Sequence, residues 1–138
     1  PVSLVPIPGD PVPVRDPGAW LLDPNPAVTR AGLVADLARS LGAWQLDERI
    51  AFLSTDTPVP SPFARTLRVI ASMPWHEKRL RTVLRELAAG PITIRRRGLA
   101  GDVDALTHRL RGPGPNSYTV AMTRVANKPW ALLCEDST

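Results

Sequence analysis

The sequence predicts a domain of the α+β class, built on a mixed, largely antiparallel sheet with about three helices. Two observations support this prediction. Segments with the apolar spacing of helices are interspersed with segments whose apolar residues alternate as in strands, and no regular strand–helix–strand repeat orders them. The 138 residues, 43% of them hydrophobic and 22% charged, are enough for one folded domain.

The first 17 residues form a proline-rich segment that differs from the rest of the chain. Eight of the 16 prolines fall within residues 1–26, and proline excludes a regular helix there. Val12 and Val14 alternate with proline, which is typical of a linker that ends as an edge strand. Residues 1–17 are therefore interpreted as a linker or edge arm, and residues 18–138 as the folded domain. Because residue 1 is not Met, we expect a further domain to precede it.

Three elements are predicted in the first half of the domain after the short apolar segment 18–22. A helix begins at Asn25, its N-cap, has Pro26 in its first position and ends near Gly42. Residues 50–54 form a buried apolar strand. Residues 66–73 alternate as a strand, although a helix starting at Ser61-Pro62 fits the same region.

The second half alternates helices and strands more closely. A helix is predicted over 75–89, followed by a strand over 92–97. Asp102 is the expected N-cap of a short third helix, and the Gly-Pro-Gly-Pro sequence at 112–115 is a turn. The chain ends in a hairpin whose strands include 118–122 and 130–134.

Residue types that perform chemistry do not occur at catalytic or metal-binding spacing. His76 and His108, the only histidines, have no ligand-spaced partners, and no nucleophile elbow surrounds Ser54. Residues 112–115 lack the N–H groups of a phosphate loop because two of them are proline. Cys134, the only cysteine, lies in an alternating apolar stretch, so we interpret it as a buried hydrophobe. We expect no catalytic residue, no metal and no cofactor in this chain.

Two further features of the sequence indicate where in the cell the protein is expected to act. No apolar run approaches the length of a membrane-spanning helix, so no membrane partner is expected. A single cysteine permits no internal disulfide, which suits a reducing cytoplasm.

Charge is distributed unevenly along the chain, whose net charge is +4. Residues 1–61 have a balance of −3, whereas residues 62–138 have a balance of +7, almost all from arginine. Guanidinium groups bind phosphate oxygens well, so a cluster of arginines suggests a nucleic-acid backbone as partner. A merely solvated face of an arginine-rich protein is the alternative.

The candidate nucleic-acid-binding residues come from one helix and the strand that follows it. Lys78, Arg81 and Arg85 share a helix face through their i, i+3, i+7 spacing. Arg95 and Arg97 project from one side of the next strand. The complete set of candidates is Lys78, Arg79, Arg81, Arg85, Arg95, Arg97 and Arg124, with Arg109 and Arg111 as residues that could extend it.

The order and spacing of several segments resemble a known family. The segments are 23–34, 41–42, 46–53, 61–65, 80–85, 92–98 and 122–124. In this order they resemble the THUMP-like C-terminal domain that follows the catalytic domain in actinobacterial class I S-adenosylmethionine-dependent methyltransferases. The resemblance covers about residues 18–134.

The resemblance implies a function that the residues alone do not. It implies a noncatalytic domain that presents RNA to its own methyltransferase domain, which would precede residue 1 and bind S-adenosylmethionine. RNA and that catalytic domain are therefore the expected partners.

Two other functions remain open. A structural or dimerisation module would expose an apolar patch, for which Trp20 and Leu22 are candidates. A lid over the cleft of a methyltransferase acting on a small molecule or protein would have an apolar pocket among Trp44, Trp75 and Trp130.

Overall fold

A computed structural model describes residues 3–6 and 9–136, so parts of the predicted arm (1, 2, 7 and 8) and residues 137 and 138 lie outside the described residues. The strands are β1 (Trp20–Pro24), β2 (Trp44–Gln45), β3 (Leu53–Thr55), β4 (Ala64–Pro74), β5 (Ala89–Arg96), β6 (Asn116–Val125) and β7 (Lys128–Asp136). The helices are α1 (Pro26–Arg30), α2 (Val34–Leu41), α3 (Glu77–Glu86) and α4 (Val103–Leu110). The predicted α+β class is confirmed.

The strands in the described part of the chain form one sheet in the order β2-β3-β1-β4-β7-β6-β5. Every neighbouring pair is antiparallel except β5 and β6, which are parallel and connected through α4. The predicted C-terminal hairpin is β6–β7. Its two-residue turn, Ala126-Asn127, has φ values of 48° and 66°, as the right-handed twist of a tight hairpin requires.

The first predicted helix is interrupted, so the expectation of one continuous helix from 26 to 41 is wrong. Gly32 has a φ of +71°, a left-handed conformation that ends α1 and lets the chain change direction before α2. Asn25 precedes α1, but its amide donates to the Pro62 carbonyl (3.0 Å) instead of capping the helix. Gly42 does end α2, with a φ of +66°.

The second predicted helix is shorter than 75–89, because Ala88 has a left-handed φ of 53° and Ala89 already belongs to β5. His76 is the N-cap of α3, where its Nδ1 accepts a hydrogen bond from the Arg79 N–H (3.1 Å). Gly90 and Pro91 lie within β5 and do not terminate the helix. Proline is tolerated here because β5 is an edge strand and its register with β6 shifts between residues 89 and 92.

Both faces of the sheet are covered by apolar side chains. On one face, Leu80 and Leu84 of α3 and Leu106 and Leu110 of α4 pack against β4, β5, β6 and β7. On the opposite face, the segment between β2 and β3 contributes Phe52, together with Leu46 and Ile50. Helices α1 and α2 cover a third cluster around Leu22 and Leu53.

The end of the proline-rich arm contacts the edge of the sheet beside β2. Val14 forms a parallel bridge with Gln45, whose N–H donates to the Pro13 carbonyl (3.0 Å). The Trp44 indole N–H donates to the Asp16 carbonyl (2.9 Å). Residues 13–16 therefore lie along the sheet edge beside β2. Among the residues described, no helix is long and apolar enough to cross a membrane.

We expect Leu133→Ala to lower the free energy of unfolding by about 3 kcal/mol, because it leaves a cavity in the core beneath α3 and α4. Leu133 is fully buried in that cluster. Val5→Ala is the matched control, since Val5 is 59% exposed. Urea denaturation followed by circular dichroism measures both, and equal midpoints would contradict the assigned core.

Burial raises the pKa of the Cys134 thiol from its usual 9.0 to about 12. The unfolded thiol therefore ionises before the folded one, and stability falls as pH rises above 9. We expect a contribution of up to about 1.4 kcal/mol per pH unit between pH 9 and 11. Cys134→Ala, although less stable at neutral pH, should show a flatter dependence in urea titrations. Identical slopes for the two proteins would refute the burial of the thiol.

Candidate nucleic-acid interface

Helices α3 and α4 lie side by side and present their cationic residues to solvent. Because Leu80 and Leu84 point into the core, the intervening polar residues of α3 face outward. Lys78, Arg79, Arg81 and Arg85 are all exposed, and Arg109 and Arg111 at the end of α4 are exposed beside them. We call these six residues the α3/α4 basic face.

Glu77 connects the two helices across this face. Its carboxylate accepts two hydrogen bonds from Arg109, each 2.9 Å long, and lies 4.0 Å from Arg81. The hydrogen bonds from Arg109 hold the pKa of Glu77 below its usual value, and Glu77 in turn raises the pKa of Arg109. Glu77 therefore stays ionised and keeps the two arginines close together.

A cavity of about 370 Å³ opens at the carboxyl ends of α3 and α4, beside the loop Gly112–Gly114. The side chains of Arg81, Arg85, Arg109 and Arg111 line it, over apolar residues that include Leu84 and Leu110. The Arg85 and Arg111 side chains form no hydrogen bond or ion pair within the described part of the chain. Two unpaired guanidinium groups thus share one concavity.

Arg95 and Arg97 do not belong to this face. Ile92 and Ile94 of the same strand pack beneath the helices, so the alternating residues Arg95 and Arg97 point to the opposite side of the sheet. The predicted single surface of helix 75–89 and strand 92–97 is therefore wrong.

Asp23 holds Arg95 and Arg97 on the face of the sheet opposite the helices. Its carboxylate, in β1, accepts hydrogen bonds from Arg95 (2.7 Å) and Arg97 (2.8 Å). Arg97 also donates to the Pro24 carbonyl (2.8 Å) and lies over the Phe52 ring. Because β4, β7 and β6 separate β1 from β5, these contacts show that the sheet curls until its distant strands meet.

Arg124 is also separate from the α3/α4 basic face. Its guanidinium donates to the carbonyls of Gly98 (2.8 Å) and Asn127 (3.2 Å). The cavity lies at the start of β6, whereas Arg124 is near its end, about 26 Å away at the usual rise of a strand. The structure thus brings together four of the seven candidates, Lys78, Arg79, Arg81 and Arg85, and adds Arg109 and Arg111.

The features expected of the two other functions are arranged differently. Leu22 is fully buried and β1 is paired on both sides, so the expected apolar patch at Trp20 and Leu22 is not formed. Trp75 packs in the core beneath α3 and α4, Trp130 on the opposite face of the sheet, and Trp44 beside the arm. The three tryptophans therefore do not line a common pocket.

The expectation that this chain holds no cofactor and no metal stays a prediction. The one parallel strand–helix–strand unit, β5–α4–β6, is where a nucleotide-type cofactor would be sought. At the amino end of α4, the Asp102 carboxylate caps the helix by accepting a hydrogen bond from the Ala105 N–H (3.1 Å). Within residues 3–6 and 9–136, no three His, Cys, Asp or Glu side chains are grouped to bind a metal.

The fold is shared with a protein of known crystal structure. A crystal structure described as a "putative methyltransferase" from Porphyromonas gingivalis superposes with a TM-score of 0.74 and 20% sequence identity. The match covers 92% of this chain and 32% of that protein. The matched region is thus about a third of that larger protein.

Sequence comparison identifies the family. The profile of the THUMP domain-like family matches residues 64–136, and this chain belongs to that family. Relatives in two strains of Mycobacterium tuberculosis, each named an uncharacterized S-adenosylmethionine-dependent methyltransferase, are 44% identical over 112 residues. The alignment covers 81% of this chain and 31% of each relative, so the chain spans less than a third of their length.

We expect Asp23→Asn to lower the free energy of unfolding by about 2 kcal/mol, because it leaves two guanidinium groups without their counter-charge. The loss is smaller than for a fully buried pair, since the Arg95 and Arg97 side chains are 29% and 25% exposed. Glu48→Gln, at an exposed carboxylate, is the control. Equal urea midpoints for the two variants would show that Asp23 does not hold the curled sheet together.

Proposed function

We propose that this domain holds an RNA substrate for an S-adenosylmethionine-dependent methyltransferase and does not itself perform the methyl transfer. The observation that carries the proposal is the α3/α4 basic face, where exposed arginines from two helices converge on one cavity. The names of the M. tuberculosis relatives support the assignment to a methyltransferase. Membership of the THUMP domain-like family supports RNA as the substrate.

The charge and form of this face suit a phosphate backbone. Six cations, Lys78, Arg79, Arg81, Arg85, Arg109 and Arg111, are accompanied on α3 and α4 by three acids, Glu77, Glu86 and Asp104, with Asp102 as the N-cap of α4. Glu77 is already shared by Arg81 and Arg109. A continuous cationic surface of this kind attracts nucleic acid without regard to sequence, and its arginines can bind phosphate oxygens with paired N–H groups.

The proposed division of labour places the cofactor elsewhere. S-adenosylmethionine would be bound by a separate catalytic domain of the longer protein, acting in the cytoplasm. The present domain would contribute the affinity and orientation that bring one region of the RNA to that site. Holding a reactant in the correct position can supply a large part of a rate enhancement without any chemistry by the holding group.

The proposal predicts salt-dependent RNA binding by the chain. In fluorescence anisotropy with a labelled RNA hairpin, the logarithm of affinity should fall with the logarithm of salt concentration by roughly 0.7 to 0.9 per phosphate contact. Lys78→Ala/Arg79→Ala should weaken binding several-fold and flatten this slope by about one to two units, because it removes two contacts.

Arg30→Ala is the control for charge alone, because Arg30 is exposed on α1, away from the α3/α4 basic face. It should leave the slope nearly unchanged. Failure to bind RNA even at low salt, or equal behaviour of the two variants, would refute the proposed function.

A further inference from the structure

The cavity at the ends of α3 and α4 contains more cationic groups than packing requires. Arg85 and Arg109 lie in the last turns of their helices, where cations favourably offset the helix dipole. That effect also covers Arg111, the C-cap of α4, but it does not account for Arg81, one turn earlier in α3. All four side chains nevertheless line the same cavity.

The charge balance of the cavity specifies the charge of its ligand. Four guanidinium groups are opposed by the Glu77 carboxylate. The carboxyl ends of the two helices contribute about half a negative charge each, which leaves an excess of about two positive charges. A phosphodiester in a nucleic-acid backbone carries one negative charge, whereas a phosphate monoester carries about 1.5 to 2 at neutral pH. The cavity therefore matches a monoester more closely.

The floor of the cavity is closed by close backbone contact. A Cβ on Gly114 would overlap the Ala88 carbonyl oxygen, and one on Gly112 would lie 2.5 Å from the Ala89 carbonyl oxygen. The Gly112 and Gly114 N–H groups donate to the carbonyls of Gly90 (3.1 Å) and Ala89 (2.9 Å). The loop Gly112–Gly114 is therefore held against Ala88 and Ala89 and forms a fixed wall of the cavity.

The size and walls of the cavity suit a single nucleotide. Its volume of about 370 Å³ is near the lower limit for pockets that enclose small ligands. The exposed residues Ala88 and Pro113 provide apolar surface against which a sugar or base can pack. The unpaired Arg85 and Arg111 supply free N–H donors for the phosphate oxygens.

We infer that this cavity binds the phosphorylated terminal nucleotide of an RNA chain, with Arg85 and Arg111 as the residues that recognise the terminal phosphate monoester. The inference rests on the proposed function, since it assumes that RNA is the partner of the α3/α4 basic face. It adds that a chain end is recognised by its phosphate, separately from the general attraction of the backbone.

The test compares three forms of one labelled RNA hairpin that carry a 5′-phosphate, a 3′-phosphate, or hydroxyls at both ends. One of the phosphorylated forms should bind about tenfold more tightly than the hydroxyl form, as expected for charge-assisted hydrogen bonds to a dianion. Which phosphorylated form gains affinity identifies the end that enters the cavity.

Variants separate end recognition from backbone attraction. Arg85→Ala/Arg111→Ala should abolish the preference for the phosphorylated end. Lys78→Ala/Arg79→Ala removes the same number of charges outside the cavity lining and should weaken binding of all three RNAs while retaining the preference. Circular dichroism and urea midpoints confirm that both variants are folded.

The possible outcomes distinguish the inference from the proposed function. Equal, salt-sensitive affinity for all three RNAs would overturn the inference and leave the proposed function intact. Absence of binding to any RNA would overturn both. A titration with adenosine 5′-monophosphate that shifts the amide resonances of Gly112 and Gly114, without any preference among the RNAs, would make a free nucleotide the ligand and overturn the assignment to an RNA end.

Discussion

The ion pairs of Asp23 determine how the sheet is shaped and therefore where its charges lie. This carboxylate belongs to β1 but meets the guanidinium groups of Arg95 and Arg97 near the opposite edge of the sheet. Because side chains alternate along a strand, drawing these arginines to the face that holds Phe52 directs Ile92 and Ile94 towards the helices. The packing of α3 and α4 over β5 depends on that orientation.

On the face of the sheet covered by α3 and α4, a second carboxylate connects distant parts of the chain. Glu77 begins α3 and bonds to Arg109 near the end of α4, so the two helices expose a shared surface. Each buried or partly buried acid thus accounts for two arginines. Two arginines whose side chains form no ion pair or hydrogen bond in the described part of the chain, Arg85 and Arg111, lie at the cavity. The cationic site therefore contains arginines that do not form the ion pairs which stabilise the fold.

The family relationship and the site coincide in the chain. The region matched by the THUMP domain-like family, residues 64–136, contains β4 to β7 with α3 and α4, and therefore the whole α3/α4 basic face. The residues before it provide β1, β2, β3 and the end of the arm, which close the other edge of the sheet. Asp23 lies in this preceding part and stabilises the matched region from outside.

The sequence by itself determined the fold class, most strands and helices, and the local spacing of Lys78, Arg81 and Arg85 on one helix. These are consequences of periodicity and capping, which act over a few residues. The helix bounds were predicted less accurately. The chain changes direction at Gly32, and Ala89 to Pro91 belong to β5, which pairs with β6. The tertiary structure alone decided which arginines are free. Arg95 is 72 residues from Asp23 and Arg109 is 32 residues from Glu77 along the chain, and no local pattern specifies which distant acid a guanidinium group will meet.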